Sequence, residues 1–284
     1  MPVLPMQELL RDAARRGYAV AAFNVFNDLS LDAVLAAAAK ARSPVIVQLS
    51  VKTVKQRSAK WWRVLFEETA ARHTVPCTLH LDHCPDRALI EECVRAGWNS
   101  VLFDASALSY EENLRQTREV VAFARPFGAA VEGELEAIRG VEDGHGSEEE
   151  GGVVALADAV RFLRETGVDS FAPAIGTAHG LYKQTPKVNV ARVGEIVEAT
   201  GIPVVVHGGT GLTEETFRAL IQKGAVKINV STQLKLTFLE AARLYLESNP
   251  QAGDPLALFR AVHGALEAAA ARFLRQFGSE GMAA

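Results

Sequence analysis

Short runs of β-branched and apolar residues alternate with longer Ala-, Leu-, Glu- and Arg-rich stretches along the chain, and that alternation restricts the fold more than any other feature. Eight runs are apolar almost throughout: Tyr18–Asn24, Pro44–Ser50, Cys77–His83, Ser100–Ser106, Ala129–Glu136, Ser170–Thr177, Pro203–Gly209 and Ala225–Val230. Strands of a parallel sheet are covered by helices on both faces and lose the in-out alternation of a half-exposed strand. Helical patterns fall between them, at Leu31–Ala41, Ala59–Arg72, Arg87–Ala96, Glu111–Ala124, Leu156–Glu165 and Glu214–Lys223. Gly97, Gly167, Gly201 and Gly224 stand where a left-handed residue would end such helices. Repeated strand–helix units of this kind predict an α/β protein, a TIM (β/α)8 barrel. After the eighth strand come two more helical segments, about Gln233–Glu247 and Pro255–Phe277. No Ser/Pro-rich linker interrupts the chain, so one barrel domain over residues 1–284 is expected, with a C-terminal helical extension over about 233–284.

Composition narrows the function classes. Thirty Lys and Arg against 34 Asp and Glu leave a net charge of −4, which argues against a sequence-independent nucleic-acid binder. No apolar run reaches the roughly 18 residues that a membrane span needs. The opening residues become charged too early for the apolar core of a secretion signal. Three cysteines, Cys77, Cys84 and Cys93, are too few and too odd in number for a disulfide framework. A cytoplasmic location is the expectation, with neither nucleic acid nor membrane as partner.

In a TIM barrel the active site lies at the carboxyl ends of the strands. Read in order, those ends carry Asn24, Ser50, Asp82-His83, Asp104, Glu132 with Glu134, His179, His207-Gly208-Gly209, and Asn229. Three of the seven histidines thus fall at strand ends, from the third, sixth and seventh strands. Three imidazoles with one position left open suit a catalytic Zn²⁺. Asp82 either orients a ligand or serves as an acid/base beside a bound substrate. It adjoins His83, and successive strand side chains point to opposite faces, so both reach the site only where the strand yields to loop. Asp104 and Glu134 are read as partners that orient histidines, or as a second metal position. His80 is read as structural; His73, His145 and His263 have no argued role.

Two segments suggest a phosphate site. His207-Gly208-Gly209-Thr210-Gly211 stands just ahead of a helix beginning near Thr213, and Asn229-Val230-Ser231-Thr232 leads into the helix after strand eight. Backbone N–H groups at such helix starts hold dianions, and the loops after strands seven and eight are the usual place in this fold. Lys183 follows closely after His179. The polar, glycine-rich stretch Gly140–Gly152 after strand five is read as a lid or a solvated loop.

With these residues in view, the chain resembles the class II, metal-dependent ketose-bisphosphate aldolases over essentially its whole length. The motifs that carry the resemblance are Leu79-His-Leu-Asp-His83, Glu132-Gly-Glu-Leu135, Ala174-Ile-Gly-Thr-Ala-His-Gly180, Val206-His-Gly-Gly-Thr-Gly211 and Lys227-Ile-Asn-Val230. The resemblance implies reversible cleavage of fructose 1,6-bisphosphate, or a close ketose phosphate such as tagatose 1,6-bisphosphate, to dihydroxyacetone phosphate and an aldehyde. It implies a zinc ion held by His83, His179 and His207, with Asp104 and Glu134 at a second or resting metal site. A second divalent or a monovalent cation is an additional expectation. Asp82 would exchange the aldehyde-side proton and Glu142 the proton of the dihydroxyacetone phosphate carbon. Gly180, Lys183, Gly208, Thr210 and Asn229 match the ketose phosphate contacts, with Asn24 and Ser50 nearby. Gly209, Ser231 and Thr232 belong to the two phosphate segments. A homodimer or homotetramer is expected.

Some residues depart from the family pattern. Glu136 stands where Gly is common, Thr210 where Ser is common, and Ser231 where fructose- and tagatose-type members differ. Competing readings are a zinc hydrolase on the same barrel, an inactive phosphosugar-binding subunit, and a Schiff-base aldolase using Lys227. For that lysine, a charge held among barrel carboxylates is the simpler expectation.

Overall fold

A computed structural model of the chain describes residues 3–138, 140–142, 145–147, 152–180, 182 and 186–283, with no account of the side chains of 141, 142 and 145–147. The chain opens with α1 (Met6–Arg16), β1 (Val20–Asn24), α2 (Asp28–Ala41), β2 (Val45–Ser50), α3 (Val51–Val54), α4 (Ala59–Ala70) and β3 (Cys77–Cys84). It continues through α5 (Arg87–Arg95), β4 (Ser100–Asp104), α6 (Tyr110–Ala124), β5 (Ala130–Glu134), a hairpin of β6 (Gly140–Glu142) and β7 (His145–Ser147), α7 (Leu156–Thr166) and β8 (Ser170–Ala172). The last third is α8 (Val190–Thr200), β9 (Val204–Val206), α9 (Glu214–Gln222), β10 (Ala225–Val230), α10 (Thr232–Ser248) and α11 (Pro255–Gln276).

Eight strands close in the order β1-β10-β9-β8-β5-β4-β3-β2, and neighbouring strands of the barrel pair in parallel. This is the predicted TIM barrel, with two helices added after β10. All eight predicted strands are present, several of them shorter. The sixth ends at Ala172 rather than Thr177, because Pro173 has no N–H to extend the ladder. Pro44 and Pro203 likewise lie just outside β2 and β9.

Local chemistry marks the helix ends. Asn27 and Ser30 form a reciprocal capping box on α2, and Asp86 accepts the N–H groups of Ala88 and Leu89 at the start of α5. Gly167 and Gly201 end α7 and α8 in the left-handed region, as the sequence predicts. Most of the core is apolar packing between the barrel wall and its helices, and α1 covers the opposite end through Met6, Leu9 and Leu10. α11 lies along α2, where Asp32 accepts from His263 at 2.9 Å and from His73 at 3.2 Å. The three cysteines are buried free thiols. Among the described residues, no helix is long and apolar enough to cross a membrane.

Candidate active site

At the carboxyl mouth, the first element to explain is the pair Asp82-His83. On an unbroken strand their side chains would point apart. The β3–β4 register shifts between Leu81 and Cys84, so three steps on β3 match two on β4. His83 takes φ +43, a left-handed conformation uncommon outside glycine. This bulge turns both side chains toward the barrel mouth, the usual effect of an extra residue in one strand.

Asp82 is buried, and both its oxygens are held. Asn24 Nδ2 donates to one at 2.7 Å and Asn229 Nδ2 to the other at 3.3 Å. Gln48 Nε2 in turn donates to Asn24 Oδ1 at 2.6 Å. Burial opposes ionisation of Asp82, but the His83 imidazole and the Lys227 ammonium hold its carboxyl below the usual range. The hydrogen bonds also favour the carboxylate form.

The imidazoles of His83, His179 and His207 meet above it. Ring centroids are 4.9 Å apart for His83 and His179, 4.6 Å for His83 and His207, and 5.9 Å for His179 and His207. One nitrogen from each lies within 4.8 Å of the others. His83 turns Nδ1 to Asp104 Oδ2 at 2.9 Å, while His207 turns Nε2 to Glu132 Oε1 at 2.9 Å. The opposite nitrogens, His83 Nε2 and His207 Nδ1, are buried without a hydrogen-bond partner among the described residues. Buried ring nitrogens without a partner are rare, and a cation between their lone pairs would satisfy both. Three nitrogen ligands backed by carboxylates match the chemistry of a zinc site. The residues present therefore fit the ion.

A second group, His83, Asp104 and Glu134, also has ligand atoms within 4.8 Å of one another. Glu134 Oε2 lies 3.8 Å from His83 Nδ1 and 3.5 Å from His207 Nδ1. Burial and the nearby Asp104 push the Glu134 carboxyl well up. Burial works against Asp104 too, but its bonds to His83 and Ser106 hold it far down. Burial lowers His83, yet Asp82, Glu134 and Asp104 together push it up to about 10. His207 goes the other way, to about 4, because burial outweighs the pull of Glu132.

Below this layer lies a pair whose mutual contact the sequence does not reveal. Glu132 Oε2 accepts from Lys227 Nζ at 2.9 Å, both groups being fully buried. Lys227 is thus the charge held among carboxylates that the sequence suggests. Glu132 joins it to His207; the only hint in sequence is the spacing of Glu132 and Glu134, which puts both on one face of β5. His80 bonds Ser100 Oγ at 2.9 Å and is held near 3 by burial and Lys227.

The two segments that the sequence suggests for a phosphate lie side by side. Gly208 takes φ +70, and a side chain there would strike the Ala178 backbone. Gly209 is pressed against the carbonyl of Asn229. Thr210, Asn229 and Ser231 are buried, and Asn229 Oδ1 and Ser231 Oγ have no hydrogen-bond partner among the described residues. Thr213 caps α9 and Thr232 opens α10. Gly180 takes φ +88 with open space where a Cβ would be. The Ser50 hydroxyl caps α3 by accepting from Thr53 N at 3.4 Å. Lys183 lies outside the described residues, and so does the side chain of Glu142, whose backbone pairs with His145 in the β6–β7 hairpin. Glu136, the residue in place of a common Gly, is buried and accepts from Val154 N at 3.3 Å and Ala174 N at 3.5 Å.

The family model for class-II fructose-bisphosphate aldolases matches residues 4–282. The chain belongs to that family. Its members are lyases, so the protein is an enzyme of that class. Among solved structures, the YdjI aldolase from Escherichia coli K12 is 32% identical with a TM-score of 0.86, over 99% of this chain and 100% of that one. A protein assigned as a fructose-1,6-bisphosphate aldolase from Coccidioides immitis is 29% identical with a TM-score of 0.89, over 98% and 97%. The fructose-bisphosphate aldolase of Campylobacter jejuni, at 22% identity and a TM-score of 0.83 over 98% and 96%, shares the fold of this aldolase.

Proposed function

We propose that this class II aldolase cleaves fructose 1,6-bisphosphate, or a close phosphoketose such as tagatose 1,6-bisphosphate, reversibly to dihydroxyacetone phosphate and an aldehyde. The observation that carries the reading is the convergence of His83, His179 and His207 beside Asp82. These three histidines would hold Zn²⁺, with Asp104 and Glu134 able to take a second or displaced cation. A bound zinc would supply Lewis-acid stabilisation for the negative charge left on the dihydroxyacetone phosphate half.

Asp82 takes the proton of the hydroxyl beside the breaking bond. Its oxygens are fixed by Asn24 and Asn229, so it meets the substrate as a preoriented base. Glu142, next to the mouth by its place in the chain, returns a proton to the carbon. Gly208, Gly209, Thr210, Ser231 and Thr232 bind the ketose phosphate, aided by Gly180 and Lys183; the unpaired Ser231 Oγ is a ready donor. Asn229 Oδ1 accepts from a substrate hydroxyl, and Ser50 faces the aldehyde half.

We read the working form as a homodimer or homotetramer. α10 buries only Leu234 and exposes Leu236, Leu239, Leu244 and Leu246, an apolar face that a second copy would cover. Three buried free thiols suit the reducing cytoplasm.

The test is cleavage of fructose 1,6-bisphosphate before and after EDTA, with Zn²⁺ added back. Activity lost to the chelator and restored by zinc supports the reading. Activity indifferent to EDTA sinks the zinc mechanism and turns attention to Lys227. A zinc-loaded but inactive sample moves the search to other phosphoketoses.

A further inference from the structure

Two of the three histidines sit where the sheet itself places them. β3 runs through His83, and β9 stops one residue before His207. His179 lies seven residues past Ala172, the last residue of β8, on irregular backbone. The barrel ladder therefore does not set its position.

Three contacts among the described residues take over. Gly140, at φ +94, approaches the His179 backbone so closely that a Cβ would meet its N and O atoms. Gly208 meets the Ala178 backbone in the same way. The Tyr182 hydroxyl then joins the two loops: it accepts from Ala178 N at 2.9 Å and donates to the Gly208 carbonyl at 2.7 Å. Its ring lies against Gly211, where a Cβ would come within 3.2 Å.

We propose that Tyr182 is a positioning residue, a strut that ties the residue before His179 to the residue after His207 and so sets the distance between those two ligands. The proposal rests on the zinc reading above for its purpose, though not for its geometry. The hydroxyl uses its donor and an acceptor position at once, and burial pushes its pKa up, so it stays a neutral donor at working pH. Outer partners that orient metal ligands commonly contribute about 10- to 100-fold in metal affinity. Tyr182 would act at one remove, through backbone rather than through an imidazole.

Tyr182→Phe keeps the ring on Gly211 and deletes only the hydroxyl. Three quantities are read on full-length protein: hydrogen exchange of the Ala178 amide without metal, Zn²⁺ affinity by chelator competition, and the metal-free Tm. The expected result is exchange at Ala178 at least about tenfold faster and zinc affinity lower by about 10- to 100-fold, with Tm almost unmoved. Fructose 1,6-bisphosphate cleavage at saturating zinc should show a larger fall in kcat than rise in KM. Unchanged exchange overturns the strut, whatever the metal result. A lowered Tm with intact zinc affinity also overturns it, since the hydroxyl would then serve the fold alone. Should wild type bind no zinc, the zinc reading fails, while exchange at Ala178 still decides whether the strut exists.

Discussion

Glu132 Oε1 lies 2.9 Å from His207 Nε2, and the other oxygen of the same carboxylate holds Lys227. One buried anion thus orients a candidate zinc ligand and neutralises a buried cation. Glu132→Gln should lower zinc affinity by about 10- to 100-fold and cost about 3–5 kcal/mol, because Lys227 is left unpaired in the barrel. Adding Lys227→Met to that variant should recover much of the stability and little of the zinc affinity. Chelator competition and urea unfolding on the three proteins read the two effects separately.

In the metal-free protein the two shifted imidazoles contribute in opposite senses on either side of the ordinary imidazole value of about 6.5. His83 is raised to about 10, so its contribution is full below about 6.5 and is lost as pH rises from there toward 10. His207 is lowered to about 4, so stability also falls as pH drops from 6.5 toward 4. Zinc must displace the His83 proton, and its apparent affinity should rise about tenfold per unit between pH 7 and 9. Tm against pH with and without Zn²⁺ tests both arms; a flat metal-free profile would falsify the charge assignment.

Asp82→Ala should keep the metal and lose the chemistry. A general base contributes about 10²–10⁴-fold, and the cleavage rate should fall by that order. Metal analysis of the purified variant checks the first half. Equal loss of metal would make Asp82 structural.

Gly208→Ala should destabilise by more than about 1 kcal/mol, since φ +70 disfavours an L side chain and the added Cβ meets the Ala178 backbone. Pushing the two loops apart should also weaken zinc and inorganic phosphate binding. Calorimetric titration of each ligand distinguishes this from a purely conformational loss.

Leu239 is 65% exposed on the face of α10. Leu239→Glu should shift the sedimenting species to a smaller one while metal content stays constant. An unchanged oligomer would place the interface elsewhere.

The barrel was legible because its strands are buried on both faces and read as continuous apolar runs. The same reading overran β8, where the apolar residues Ala174 and Ile175 continue past Pro173 although the ladder does not. His83 and His207 were visible as strand-end residues, and His179 as the residue to which the sixth apolar run leads, although the strand itself stops at Ala172. The convergence of Asp82 and His83 was not, because the β-bulge depends on pairing with β4 rather than on local sequence. The roles of Glu132 and Tyr182 escaped for a related reason: their partners lie on other strands and loops, His207 and Lys227 for one, Gly208 for the other.

The two amides that grip Asp82 come from opposite ends of the chain, 58 residues before it and 147 after it. β1 and β10, which carry them, are also the strands whose pairing seals the barrel. Until that last strand docks, the carboxylate lacks the second of its two amides, whatever the rest of the barrel has formed. Full orientation of the base therefore depends on closure of the ring, and the onset of activity in a refolding reaction should serve as a clock for that closure.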